Sequence, residues 1–151
     1  MSESRCPDPG LVAGPSPVVP SIFRLTSAML GGSARSRELA AAVIVAANDR
    51  RQRFPDETAL QRWAIRTAIG LALAEPEPDV EHRTGETDHA PIEAPELLAG
   101  LDPMTRAIVV LREVDEMAFG DIASVTRLSA AQVMTRLFRA RRGLQEMVCT
   151  A

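Results

Sequence analysis

The chain has 151 residues, of which 46% are apolar and 25% are charged, and its net charge is −3. This length fits one ordinary domain or two very small ones, and the apolar fraction is sufficient for most of the chain to fold. The longest purely apolar run, Leu39–Ala47, is too short to cross a bilayer, and the N-terminus lacks the basic-then-apolar layout of a secretory signal, so we expect no membrane partner.

The charges are distributed unevenly along the chain. Residues 1–74 contain 9 Arg and 6 acids, residues 75–102 contain 1 Arg and 9 acids, and residues 103–151 contain 7 Arg and 5 acids. An acidic strip therefore separates two mildly basic parts, which is typical of two lobes and a linker. The boundaries that we predict are a disordered tail over 1–20, a helical lobe over 21–74, an acidic flexible linker over 75–93 and a second helical lobe over 94–151.

The N-terminal part predicts a tail followed by helices. Five prolines within residues 1–20 remove amide donors and block helix formation, which indicates a disordered tail. A short helix is expected over Ile22–Leu30, ended by the two glycines that follow it. Ser36 is expected to cap a second helix over 37–47.

A third helix is predicted over Glu57–Ala74, after a polar break and with Asp56 as its N-cap. Arg62 and Arg66 form an i,i+4 pair on its polar side. Its apolar face is predicted to consist of Leu60, Ala64 and Leu71, with Trp63 in the core beside them.

The acidic segment over 75–93 has almost no large apolar side chains, so it cannot bury enough surface to offset the entropy of ordering. His82 and His89 lie in it, and we expect them to be solvated because no rigid frame for a metal is visible. Cys6 and Cys149 lie at opposite ends of the chain with no zinc or disulfide spacing, so we expect reduced thiols in the cytoplasm.

The second lobe is helical in pattern, and no stretch of it predicts a strand. Asp102 followed by Pro103 is a typical helix start, and Ser129 is a good cap for the last and longest helix. The helices that we predict are Pro95–Leu101, Met104–Arg112, Ile122–Arg127 (with its start at Gly120–Asp121) and Ala130 to about Val148, with an acidic, solvated turn over Val114–Ala118. The predicted fold class is therefore all-α, with two small helical lobes joined by an acidic linker.

The last helix has two different faces. At about 100° per residue, an apolar stripe and a polar, cationic face emerge, and residues 129–143 contain four Arg and no acid. The apolar stripe consists of Val133, Leu137, Ala140, Leu144 and Val148. The polar face consists of Gln132, Thr135, Arg136, Arg139 and Arg142.

The end of the chain is predicted to contain a short helix, a tight turn and a longer helix with cationic outer residues. This is the arrangement of a helix-turn-helix, whose second helix enters the major groove of DNA. Arg neutralises phosphate or reads guanine, Gln pairs with adenine, and the Thr methyl contacts the thymine methyl. The alternative is a three-helix bundle with a solvated Arg face, and composition alone favours it, because cations near helix C-termini are common and favourable.

The second lobe resembles region 4 of bacterial RNA polymerase sigma factors of the extracytoplasmic-function type. The matching residues are Leu111-Arg112-Glu113, Asp121-Ile122-Ala123, Leu128-Ser129, Val133 and the run from Arg136 to Leu144. Two positions depart from the family pattern. Arg127 stands where the tight turn usually has Gly, which strains a residue of positive φ, and Thr126 stands where a core Leu is usual.

The first lobe resembles sigma region 2 less closely, over Arg50–Phe54 and Gln61–Ile69. The acidic opening of the polymerase-binding helix is replaced by Arg35-Ser36-Arg37-Glu38, and the polar residues after it by Ala40, Ala41 and Ala42. The usual basic stretch beyond Gly70 is here acidic, which repels phosphates. Promoter melting by this lobe alone is therefore not expected, since aromatic platforms are also scarce.

The resemblance implies a sigma factor-like regulator of transcription initiation, with double-stranded promoter DNA of the minus-35 type and RNA polymerase core as partners and an anti-sigma factor as a further one. The residues expected to contact DNA are Ser129, Gln132, Thr135, Arg136, Arg139 and Arg142. The alternative is a degenerate sigma mimic that binds an anti-sigma factor or polymerase without initiating transcription. No nucleophile–base pair, phosphate loop or metal cluster appears in the sequence, so we expect no enzyme, no cofactor and no metal.

Overall fold

The computed structural model describes residues 17–76, 98 and 100–149, and every regular element in these ranges is a helix. The predicted all-α class is thus confirmed. The helices are α1 (Val18–Leu30), α2 (Ala34–Arg50), a 3₁₀ turn (Arg51–Arg53), α3 (Glu57–Ala74), α4 (Pro103–Glu113), α5 (Phe119–Thr126) and α6 (Ala130–Cys149). Three predicted features lie wholly or mostly outside the described residues. They are Cys6, the predicted linker with its two histidines, and the predicted helix over Pro95–Leu101, of which residues 98, 100 and 101 are described.

Helix α1 starts four residues earlier than the sequence predicted, inside the segment assigned to the tail. Pro20 is the third residue of α1, and the first turn tolerates it because amide groups there have no partner within the helix. The end of the helix is as predicted: Gly31 has φ 75°, and its amide donates to the carbonyl of Ser27 at 2.8 Å. Glycine favours this left-handed closure.

The predicted cap of α2, Ser36, was wrong, because Ser33 caps this helix. The amide of Ser36 donates to Oγ of Ser33 at 3.2 Å, while the Ser36 hydroxyl donates back to the Ser33 carbonyl at 2.7 Å. The helix continues to Arg50, three residues beyond its predicted end. Polar residues alone do not stop a helix, and no glycine or proline interrupts this stretch.

Helix α3 has its predicted bounds, and Oδ1 of its cap Asp56 accepts from the amide of Ala59 at 2.8 Å. The prediction for Leu71 was wrong, because this side chain is 45% exposed. The buried face is centred on Ala68, so Leu71 lies at its edge and close to the helix end. Trp63 is half-buried and not fully in the core, with its ring 5.8 Å from Phe54 and 5.0 Å from the Arg50 guanidinium.

The two lobes pack directly against each other. Helix α1 contacts α2, α3 and α4, and α3 contacts α5. The apolar side chains at the centre of both lobes are fully buried and belong to one continuous cluster, including Ile22 and Leu25 from α1 and Ile108 and Leu111 from α4. Because burial of each such side chain is worth about 1.5–3 kcal/mol, this shared core favours the docked arrangement of the lobes.

Charged groups frame this interface. The Asp115 carboxylate, whose side chain is only 5% exposed, accepts from Arg24 Nη2 at 2.5 Å and from Ser21 Oγ at 2.9 Å, both on α1. The prediction of a fully solvated acidic turn was therefore wrong at this residue. The turn folds back on α1 because a buried carboxylate needs hydrogen-bond donors, and α1 supplies two.

Candidate nucleic-acid interface

Helices α5 and α6 form a helix-turn-helix whose turn is made by Arg127, Leu128 and Ser129. Arg127 has φ 60° and ψ 28°, so the chain turns sharply at the position where the sequence departs from the usual glycine. Thr126, the second departure, is 6% exposed, and its hydroxyl donates to the Ile122 carbonyl at 2.6 Å. The buried hydroxyl is thus satisfied within its own helix, and the corner forms.

The start of α6 is fixed by a reciprocal capping box. The amide of Gln132 donates to Ser129 Oγ at 3.1 Å, and the amide of Ser129 donates to Gln132 Oε1 at 2.9 Å. The predicted cap is therefore present, and this arrangement satisfies two amides that the helix leaves without partners. It also commits the acceptor atom of Gln132 to the helix start, although both residues remain exposed.

The apolar stripe of α6 is buried over its first half. Val133, Leu137 and Ala140 are at most 2% exposed, and Leu144 is partly buried. Val148, predicted to continue the stripe, is instead 63% exposed. The residues that pack on α6 come from α4 and α5, and the last turns of the longer helix extend past them.

The predicted contact residues differ in their exposure and in the partners that they already have within the protein. Thr135 and Arg139 are exposed, and Arg139 has no hydrogen bond or ion pair with any other described residue. Arg142 is exposed and forms an i,i+4 ion pair with Glu146 at 3.4 Å. Arg136 is half-buried, and its Nη1 donates to Asp102 Oδ2 at 3.1 Å and to Thr105 Oγ1 at 3.2 Å.

Asp102 combines a structural and an electrostatic role at this site. It caps α4, where it accepts from the amide of Thr105 at 3.1 Å and from the Thr105 hydroxyl at 2.5 Å. Partial burial acts to raise the pKa of Asp102, but the hydrogen bonds from Thr105 and the positive charge of Arg136 outweigh it and lower the pKa. The carboxylate therefore stays ionised and holds Arg136 against the start of α4.

An open groove of about 530 Å³ runs between α6 and the start of α4. Its walls are formed by Leu101 and Asp102 on one side and on the other by four of the six predicted contact residues: Gln132, Thr135, Arg136 and Arg139. The fold thus brings these four together. It places Ser129 at the tip of the helix and Arg142 one turn beyond the groove.

The outward face of α6 also presents two residues that the sequence prediction left out. Met134 is 53% exposed and Phe138 is 72% exposed, on the turns that include Thr135 and Arg139. A helical wheel already places both outside the buried stripe, so their position was available from the sequence. The sequence prediction omitted them because it rested on polar and cationic side chains alone.

The cations of α3 contact the helix-turn-helix from the first lobe. Arg62 Nη2 donates to Asp121 Oδ1 at 2.6 Å, and Arg66 Nη2 donates to the Ser124 carbonyl at 3.3 Å. Both acceptors lie on α5. The outer face of α6 takes no part in these contacts, so docking of the first lobe leaves the cationic face accessible.

None of the described helices combines the length and the hydropathy that crossing a bilayer requires. Comparison with known proteins gives two positive findings. Residues 92–144 match the family model described as Sigma-70, region 4. A solved structure, described as the co-crystal structure of the sigma factor RpoE in complex with the anti-sigma factor NepR from Bartonella quintana, matches with a TM-score of 0.69 and 15% sequence identity, over 87% of this chain and 91% of that chain.

A comparison with curated proteins found no match. The matched family segment covers the helix-turn-helix with its cap, corner and cationic face, and the structural match extends over both lobes. The resemblance to sigma factors is therefore confirmed: residues 92–144 match the sigma-70 region 4 family, and the described helices share the fold of a sigma factor.

Proposed function

We propose that this protein regulates transcription initiation as a sigma factor-like protein that binds double-stranded promoter DNA of the minus-35 type through α6. The observation that carries the proposal is the region 4 helix-turn-helix, which turns a cationic face away from its own core and away from the first lobe. RNA polymerase core is the second proposed partner, and the cytoplasm is the proposed location. No catalytic step, cofactor or metal enters this proposal.

The electrostatics of α6 support phosphate binding most directly at Arg139. This guanidinium is exposed and forms no ion pair within the described part of the chain, so it needs no release before it meets an anion. Arg141, by contrast, donates through Nε to Glu113 at 2.7 Å, and Arg136 is held by Asp102. Substitution of Arg139 is therefore the most direct test of the proposed DNA-binding face.

The test is binding of the full chain to fluorescent duplex DNA, measured by anisotropy over a range of salt concentrations. Since each phosphate contact contributes about 0.9 to the slope of log K against log salt, Arg139→Ala is expected to weaken binding and to reduce the slope by about one. Arg37→Ala, which removes an exposed cation from α2, is the matched control and is expected to bind as the parent chain does. Unchanged low-salt binding by Arg139→Ala would overturn the proposal for this face.

The second candidate function is a sigma mimic that binds polymerase or an anti-sigma factor but does not initiate transcription. Two observations favour it: α2 presents the small side chains Ala41 and Ala42 to solvent, and the α3 cations Arg62 and Arg66 are engaged with α5. The structurally similar sigma factor is itself described in complex with an anti-sigma factor. In vitro transcription with core polymerase decides, because promoter-specific initiation excludes the mimic and DNA binding without initiation supports it.

A further inference from the structure

The outward face of α6 carries an apolar strip, which lies next to the arginines of the same helix. Ala131, Met134, Thr135 and Phe138 follow one another at spacings of three, one and three residues, so they share one side of the first turns of the helix. Phe138 is 72% exposed, more than any other large apolar side chain in the described ranges. A single exposed apolar residue is ordinary, but a contiguous strip on a recognition surface indicates an apolar ligand group.

Two of the polar side chains that could hydrogen-bond to bases already have partners within the protein. Gln132 uses its acceptor oxygen in the capping box, and Arg136 donates to Asp102 and Thr105. The exposed hydrogen-bonding groups that remain on the outward surface are Arg139, the Thr135 hydroxyl, the amide NH2 of Gln132 and, one turn further along, Arg142, while Ala131, Met134 and Phe138 are apolar. Such a surface offers bases apolar contact in addition to hydrogen-bond donors and acceptors.

Only one base presents an apolar group in the major groove. The C5-methyl of thymine projects there, and Ala, the Thr methyl and Phe are the side chains that contact it. Phe138 is the ninth residue of α6, about 12 Å along the helix axis from its start, which is within the part that a recognition helix inserts. Arg139, beside Phe138, is exposed and within reach of a neighbouring phosphate or guanine on such a helix.

We propose that α6 selects its site chiefly through thymine methyl groups, with Phe138 as the specificity-determining residue and Met134, Ala131 and the Thr135 methyl completing the contact. This inference rests on the proposed function, because it requires α6 to enter the major groove. It goes beyond that function by naming the base feature that is read.

The experiment uses the full chain to select sites from a random duplex pool, and then measures affinity for a selected site made with either thymine or deoxyuridine. Deoxyuridine pairs in the same way but lacks the methyl. Loss of one methyl contact corresponds to about a fourfold loss of affinity, so a site with two contacted methyls is expected to lose about 15-fold. Phe138→Ala is expected to bind the thymine site more weakly and to reduce the thymine-to-uracil ratio to about fourfold, the value for one methyl contact kept by the other strip residues.

Val148→Ala is the control, since Val148 is an exposed apolar residue of the same helix far from its first turns. It is expected to keep the full thymine-to-uracil ratio. Both substitutions lie on the surface, and a thermal melt of each variant checks that the fold is retained. Specific binding with no sensitivity to uracil, or with the same sensitivity in Phe138→Ala, overturns the methyl readout while leaving the proposed function intact.

Failure of the proposed function has a different signature. If the pool shows no enrichment and Arg139→Ala binds bulk DNA as the parent chain does, α6 is not a DNA-binding helix and both ideas fall. A dimer in sedimentation that Phe138→Ala converts to a monomer also overturns the methyl readout, because a second copy of the chain then covers the strip.

Discussion

Replacing Arg127 by glycine is expected to stabilise the protein, although it removes a large side chain from the helix-turn-helix corner. Arg127 has φ 60° and ψ 28°, a left-handed conformation that costs a residue with a Cβ about 1–2 kcal/mol. Its side chain is exposed and has no hydrogen bond or ion pair with another described residue. The substitution therefore removes strain without removing a contact.

The net gain is smaller than the strain because glycine also gives the unfolded chain more freedom. That entropy offsets about 0.4–1 kcal/mol, so the free energy of unfolding is expected to rise by about 0.5–1 kcal/mol. For a chain of this length, the melting temperature is then expected to rise by about 1–4 °C. Urea unfolding followed by circular dichroism at 222 nm measures the free energy, and calorimetry measures the temperature.

The control is Arg127→Ala, which removes the same charge and nearly the same side chain but keeps the Cβ in the left-handed region. It is expected to be no more stable than the parent chain. If alanine stabilises as much as glycine does, the effect comes from charge or side-chain entropy and not from the backbone. If glycine destabilises, the side chain of Arg127 makes a contribution that outweighs the strain, and the reasoning is refuted.

Three further predictions concern anchoring groups. Asp115→Ala is expected to lower the free energy of unfolding in urea by about 2–3 kcal/mol, because it leaves the Ser21 hydroxyl, on a residue only 3% exposed, without its acceptor; Asp115→Asn, which can still accept from Ser21, should lose less. Ser129→Ala removes the cap of α6 and is expected to cost about 1 kcal/mol in the same assay, and an equal stability would mean that the box is idle. Because the pKa of Asp102 is lowered in the folded state, its charge stabilises the fold above about pH 4, the ordinary range of an aspartate, and that contribution is lost as the pH falls further. The stability difference between the parent chain and Asp102→Asn should therefore shrink from pH 5 to pH 3, and a constant difference would contradict the assigned cause.

The features that the sequence predicted correctly are those set by local chemistry. Asp56, Asp102 and Ser129 were identified as helix caps from residue type and position, and each accepts the expected amide hydrogen bond. The strained corner at Arg127 was predicted from a departure at one position of the turn. These features depend on neighbours within a few residues, so periodicity and capping preferences are sufficient to find them.

The features that the sequence did not predict depend on packing between distant segments. Asp115 was expected in solvent, but α1, which lies about ninety residues earlier in the chain, covers it. Leu71 satisfies the helical period of α3, yet the helices that pack on α3 bury a face centred on Ala68, and Leu71 lies at its edge. Arg136 was assigned to DNA because it lies on the polar face, and only the folded chain shows that the cap of α4 lies within its reach.

The docking of the lobes affects the accessibility of α3 and of α6 differently. The first lobe contacts the helix-turn-helix through Arg62 and Arg66 of α3, and both side chains reach α5, the helix that precedes the corner. In this arrangement the α3 cations are occupied, while Arg139 and Phe138 on α6 remain open to a ligand. Binding of duplex DNA by α6 is therefore compatible with the docked lobes. Any contact of α3 with nucleic acid first requires its arginines to leave α5, so the shared core and the Asp115 anchor set the free energy that such an opening must overcome.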